Sequence, residues 1–175
     1  MKILSSLFFL SISFFGCNAS KVELYTYKHK SKYALAYNYL IQDQINQKVD
    51  FNIADSTVNI DLSPFYEELS LLSHKSKEKM LFLLDSLNHS SLHDHSVNVG
   101  QLIRPKKNVR NESNSTIYFS KVYDDFLGAE ILDDISSIKE NYKNATVFNK
   151  GMRYLFLFDK SGEIKNVYKK EIQYD

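Results

Sequence analysis

The chain has 175 residues, with 22 Lys and Arg against 21 Asp and Glu, and a single cysteine. So even a charge balance excludes the net basic face that a nucleic-acid partner requires, and one cysteine excludes an internal disulfide. The 12 Tyr and 12 Phe, with no Trp, favour a folded domain containing sheet, since aromatic side chains fit a pleated surface.

Met1-Lys2 leads into an apolar run from Ile3 to Phe15 broken only by serines. That is the pattern of an export signal, read here as residues 1–16, and it is shorter than the roughly 20 apolar residues of a membrane span. At its end stands Phe14-Phe15-Gly16-Cys17, followed by the polar Asn18-Ala19-Ser20. The stretch resembles the lipobox of bacterial lipoproteins, with Phe14 and Phe15 where the pattern has an aliphatic and a small residue. The resemblance implies cleavage after Gly16, a Cys17 diacylated with palmitate-type chains and a membrane as partner. Asn18 rather than Asp then implies the outer membrane of a Gram-negative envelope. The alternative is cleavage after Ala19, which discards Cys17 and leaves a secreted soluble chain starting at Ser20. Both routes leave a cysteine-free domain of about 155 residues, enough for one core without staples. Triplets at Asn18, Asn88, Asn111, Asn114 and Asn144 fit the glycosylation sequon, as chance produces in a chain rich in Asn and Ser.

Residues 20–30 are polar and read as a tether or a first short strand, so 17–30 is assigned to the lipidated N-terminus and tether and 31–175 to a single domain. From Ser31, a plausible N-cap, the stripe Tyr33, Tyr37, Leu40, Ile41 and Ile45 predicts a helix over 31–47. Val49, Phe51 and Ile53, then Val58, Ile60 and Leu62, alternate with polar residues around Ala54-Asp55-Ser56-Thr57 and predict a β-hairpin. Ser63-Pro64 opens a helix, with Ser as cap and Glu67 and Glu68 at the positive end of its dipole. A second helix starts at Ser76 with Met80, Leu83, Leu84 and Leu87 on its stripe. Residues 88–115 show no sustained period, although Val97, Val99, Leu102 and Ile103 suggest a short strand.

Thr116–Tyr123 and Phe126–Leu132 flank a tight turn at Asp124-Asp125. Ile135, Ile138 and Tyr142 suggest a short helix. Met152–Phe158 is nearly all apolar and reads as a central strand covered on both faces. A turn at Asp159-Lys160-Ser161-Gly162, with Gly162 at positive φ, returns the chain as an edge-like strand over 163–173. The order predicts an α+β domain: an antiparallel curved sheet with helices on one face. In element order it is similar to the NTF2-like and cystatin-like folds.

His89, His93 and His95, with Asp94 between the last two and His74 upstream, are the metal-like cluster, since H-x-H can turn two imidazoles to one side. A solvated loop that happens to hold three histidines is the plainer explanation, since no HExxH or paired CxxC supports a metal site. The acidic pairs Glu67-Glu68, Asp124-Asp125 and Asp133-Asp134 suit turns and caps better than catalysis, because adjacent strand residues point to opposite faces. With only five glycines, no phosphate loop exists, and no serine sits in a nucleophile elbow. Arg104-Pro105-Lys106-Lys107 and Arg110 read as a solvated basic loop. Tyr33, Tyr37, Tyr154 and Tyr168 offer either an aromatic pocket between helix and sheet or ordinary core packing.

No catalytic residue and no cofactor is expected. The expectation is a membrane-anchored, non-catalytic binding domain whose partner is an envelope protein or small ligand. The alternatives are a metal-dependent protein using the histidines, and a structural protein or inhibitor acting through a sheet edge.

Overall fold

The computed structural model describes residues 17–44, 51–73, 75–92, 97–103, 115–133 and 142–175. Among them, β1 (Asn52–Ile53), β2 (Ser115–Tyr123), β3 (Phe126–Asp133), β4 (Lys150–Phe158) and β5 (Ile164–Gln173) form one sheet in chain order. β1 pairs with β2 in parallel and the other neighbours are antiparallel. The class is α+β, as the sequence implies. Turn chemistry sets the hairpins. Asp124 takes a φ of +49° between β2 and β3, and Gly162 one of +87° between β4 and β5, while Asp159 Oδ1 accepts the N–H groups of Ser161 and Glu163 at 2.8 and 3.1 Å.

The central strands are apolar on both faces, and each face carries its own helical layer. On one, α1 (Cys17–Gln44) and α4 (Val99–Leu102) bring Tyr33, Ala36, Leu40, Val99 and Leu102 against Ile117, Phe119, Leu127, Tyr154 and Phe156. On the other, a 3-10 turn at Ser63–Phe65 runs into α2 (Tyr66–Ser73), which pairs with α3 (Lys77–Leu92). Phe65, Leu69, Met80 and Leu84 there cover Leu155, with Ile60 and Leu62. The expectation of helices on one face is therefore corrected: Leu155 and Phe156 are both fully buried on opposite faces of β4, and such a strand needs cover on both sides.

Helix α1 is longer than the periodicity predicts. It is continuous from Cys17 through the stretch read as tether or strand, so Ser31 lies within it and caps nothing. No Gly or Pro interrupts it, and the helix is already packed at His29, 8% exposed.

The predicted hairpin across 49–62 does not form. Residues 49 and 50 lie outside the described set, but the partner of β1 is β2, far along the chain. Ala54 N–H donates to Ile117 O at 2.9 Å and Val58 N–H to Phe119 O at 2.8 Å. Phe51 belongs to the α1 core, whereas Ile60 and Leu62 belong to the α2–α3 core. The alternation thus records burial on two different faces, with residues 54–58 passing the sheet edge. Thr57 and Val97 hold that passage by Thr57 N–H to Val97 O and Val97 N–H to Thr57 Oγ1, both 2.9 Å.

Within 88–115, Val97 and Ile103 are buried with α4 against α1, as a one-residue bridge at Asn98 and a helical turn rather than a strand. Residues 93–96 and 104–114 are outside the described set, as are Ile135 and Ile138; Tyr142 opens α5 (Tyr142–Ala145). Ser76 does cap α3, its Oγ accepting Lys79 N–H at 3.4 Å. Ahead of α2 the expected cap shifts: Leu62 is the N-cap of the 3-10 turn, with no side-chain cap bond, and Ser63, the first residue inside it, donates its N–H and Oγ–H to Asp61 at 2.9 and 2.8 Å. Among the described residues no helix is long and apolar enough to cross a membrane.

Gly151 sits where a side chain has no room. A Cβ there would overlap the Ile131 carbonyl oxygen and lie 2.8 Å from Leu132 Cδ2. Gly151→Ala is expected to destabilise the protein by about 1–3 kcal/mol, the usual overpacking range, read as a lower urea midpoint at unchanged m-value.

Candidate functional site

A row of polar residues crosses the α2–α3 face of the sheet. Pairing aligns Tyr118 of β2 with Glu130 of β3, Glu130 with Arg153 of β4, and Arg153 with Lys170 of β5. Glu130 is fully buried and Arg153 is 5% exposed. A charge so placed is tolerated only when paired and hydrogen-bonded, and the surroundings supply both. Arg153 faces Glu130 Oε1 at 3.5 Å. Tyr142 Oη, from α5, donates to Glu130 Oε2 at 2.6 Å, and Tyr174 Oη, just past β5, donates to Oε1 at 2.7 Å. The guanidinium also donates to Tyr174 Oη at 2.7 Å and to the Asp61 carbonyl at 2.6 Å.

Tyr142, Arg153 and Tyr174 line an open cleft of roughly 410 Å³ together with Asn59, Asp61, Asn88 and Thr146, while Glu130, which holds the first three, is fully buried. Each wall is held in place. Asp61 Oδ1 accepts from Ser63 N–H and from Asn88 Nδ2 at 3.0 Å, joining the stretch before α2 to the end of α3. Asn149 donates to Asp133 O and Ala145 O at 2.9 and 2.8 Å, and its carbonyl accepts Tyr174 N–H at 2.8 Å. That residue ties α5 and the C-terminal residues to the sheet.

The protonation behaviour follows from this packing. Burial foremost, then the charge of Glu130, pushes the Tyr142 phenol far above its ordinary value. Burial also pushes Tyr174 up to about 12, with the bond to Glu130 adding to the shift and the contact with Tyr142 opposing it. For Arg153, burial acts to lower the pKa, but the Glu130 charge and the two phenols outweigh it and the net shift is upward. For Asp61, burial acts upward and is outweighed by bonds from Ser63 and Asn88 and by the Arg153 charge, so its carboxyl lies below its usual range.

None of the candidate metal, pocket or lipidation residues named from the sequence is among those that line this cleft. Tyr33 and Tyr154 are fully buried in the α1 core; Tyr33 Oη donates to Ser120 O at 2.9 Å and Tyr154 Oη to Asp43 Oδ2 at 3.0 Å. Tyr37 packs at the margin of the same cluster, its phenol raised by burial. Tyr168 belongs to the opposite face, so the four cannot share one pocket. His89 is exposed on α3, its Nδ1 3.1 Å from the Asp85 carbonyl oxygen, while His74, His93, Asp94 and His95 lie outside the described residues. Among the described residues no group of three potential ligands converges. Of the acidic pairs, Glu68 bonds Lys170 at 2.8 Å and Asp125 faces Lys32 at 3.4 Å. Cys17 is the first residue of α1.

The cleft residues had a signal of a different kind: Glu130 and Arg153 are single charges inside otherwise apolar central strands. No family model, no curated protein and no solved structure matches the chain. The likeness to NTF2-like and cystatin-like folds therefore rests on element order alone.

Glu130→Gln would strand the Arg153 charge in the interior and is expected to cost about 3–5 kcal/mol, with the double change Glu130→Gln/Arg153→Met recovering part of the loss in a denaturation cycle. The phenols give a pH signature. Both hold their protons more tightly folded than unfolded, so their contribution is complete below the ordinary value of 10.0; above it that of Tyr174 is lost as pH rises towards about 12, and that of Tyr142 declines over the same window and beyond. Stability should fall over that window, and the fall should be shallower in Tyr142→Phe/Tyr174→Phe than in the parent, measured by urea midpoints at stepped pH.

Proposed function

We propose that the protein is an exported lipoprotein, anchored in the envelope through acylated Cys17, whose α+β domain binds a small polar ligand in this cleft without transforming it. The carrying observation is the cleft floor. Arg153, Tyr142 and Tyr174, which line it, are held by the buried Glu130, so the surface is pre-organised. Acid–base chemistry needs a group whose pKa lies near the working pH. Here the two phenols are moved upward and the Asp61 carboxyl downward, away from neutrality. The volume lies within the range usual for small-molecule sites.

A second reading, action through a sheet edge, is favoured by β5, which ends the strand order and runs for 10 residues. Lys165 and Lys169 on that strand discourage edge-to-edge pairing, so the cleft is the stronger candidate.

Two measurements test the leading reading. Intact mass and N-terminal sequencing after expression of the full chain in a Gram-negative host should give a membrane-bound species that begins at Cys17 and carries acyl chains. A soluble species beginning at Ser20 would sink the anchor. Thermal-shift screening of polar metabolites, mapped by hydrogen exchange, should place any ligand on residues 59–61, 142–153 and 174, with the compound recovered unchanged. Hits mapped elsewhere, or chemical conversion, would overturn the binding reading.

A further inference from the structure

Exposed apolar side chains gather on the α2–α3 pair. Of the six large hydrophobic residues exposed among the described residues, four belong to it: Leu71 at 78%, Leu72 at 38%, Leu81 at 37% and Phe82 at 75%. Single exposed apolar residues are ordinary, but a group on one unit marks a contact surface. Helix phase sets their direction, at about 100° per residue. Phe82 lies two residues from each of the buried Met80 and Leu84, so it projects away from the core, and Leu71 stands in the same relation to the buried Leu69. Both therefore lie on the outer side of the helix pair.

The charges around Phe82 say what fits there. Lys79 precedes it by three residues and Asp85 follows it by three, so the three side chains share one helix face. Both charges are exposed. The sequence gives Lys79 no acid three or four residues away, and Asp85 has at that spacing His89, whose Nδ1 is 3.6 Å from its carboxylate. Lys77, Glu67 and Glu68 are engaged within the fold: Lys77 lies over the Tyr66 ring at 4.7 Å, Glu67 accepts from Tyr66 Oη at 2.6 Å, and Glu68 meets Lys170 at 2.8 Å.

A face whose charge changes sign about its centre is complementary to its own reverse. When a second copy of α3 lies antiparallel with the two Phe82 rings at a twofold axis, each residue before Phe82 meets the one equally far after it. Lys79 then meets Asp85 of the partner subunit, twice by symmetry, and Glu78 meets Ser86 of the partner subunit. No like charges oppose one another over these positions, and the helix dipoles run opposite ways. We propose that this face is a self-association surface, at which two copies pack α3 against α3 about a twofold axis. Phe82 packs on its symmetry mate, with Leu71 and Leu81 beside it, and the two Lys79–Asp85 pairs close the rim. The face is small, since α3 is about 24 Å long and α2 about 12 Å. The dimer therefore belongs to the weak, transient class, with a dissociation constant in the micromolar range. It makes no use of the cleft and stands apart from the binding reading.

The test is sedimentation equilibrium of the full-chain protein, in density-matched detergent where it carries acyl chains, at loadings across the micromolar range. The parent should show a monomer–dimer equilibrium. Phe82→Ser should weaken it at least tenfold, as loss of a central aromatic contact does, without lowering the melting temperature in dilute solution, because the ring is exposed in the monomer. Lys79→Asp should weaken it about tenfold by setting like charges against each other at both ends. Lys79→Asp/Asp85→Lys should return the constant to within about threefold of the parent, since the exchanged charges face each other again. A parallel pairing would set position 79 against itself and give no such rescue. A parent that stays monomeric overturns the proposal and leaves the face to lipid or a different protein. A dimer indifferent to Phe82→Ser, or one that the charge exchange fails to restore, overturns it as well.

Discussion

The buried Glu130–Arg153 pair sets terms that much of the surrounding structure has to meet. Two opposite charges face each other across the middle of the sheet, where desolvation is costly and mutual attraction alone seldom compensates. Much of what lies near them completes their hydrogen bonds, with Arg153 Nε left without a partner among the described residues. The stretch before α2 contributes a carbonyl, α5 a phenol, and the residues after β5 a second phenol. Segments far apart in the chain are thereby drawn to one point, and the α2–α3 core ends there in a polar boundary. The cleft lies along that boundary.

The opposite face is built on another principle. Beneath α1, Tyr33 meets Phe119 edge-on at 5.8 Å, Tyr39 meets Phe156 at 5.6 Å, and Tyr154 stacks near Phe156 at 6.2 Å. The phenolic oxygens of Tyr33 and Tyr154 reach partners at the edge of this cluster, so the rings supply apolar area and the hydroxyls stay satisfied. Tyrosine therefore does two jobs here: it anchors a dry core on one side and solvates a buried ion pair on the other. Composition alone cannot separate those roles.

The four long strands were legible in the sequence because their signals are local. Alternation or continuous apolarity runs between turns whose chemistry, at Asp124-Asp125 and at Asp159–Gly162, is written in adjacent residues. The stretch 49–62 was misread because its pattern reports burial and not the identity of the partner. Its hydrogen bonds go to β2 and to Val97, far along the chain, so two short alternating runs looked like a hairpin. The start of α1 was hidden for a related reason: residues 20–30 lack a clean apolar stripe. Glu130 and Arg153 were visible as lone charges in apolar strands. Their meeting depends on register, and their ring of partners on α5 and Tyr174, which no local pattern connects to them.

Helix α1 bears on how the domain would sit at a surface. With acyl chains on Cys17, residues 17–28 form a rod about 18 Å long at 1.5 Å per residue, continuous with the helix that packs into the core. A glycine- and serine-rich linker would let the domain tumble over a wide range of heights and tilts. If Cys17 is acylated as proposed, a continuous helix would narrow the range of heights and tilts open to the domain, and with it the depth at which the cleft faces its surroundings. Selection among ligands at different depths would then be a matter of stalk length, which one inserted turn of helix would alter by about 5.4 Å.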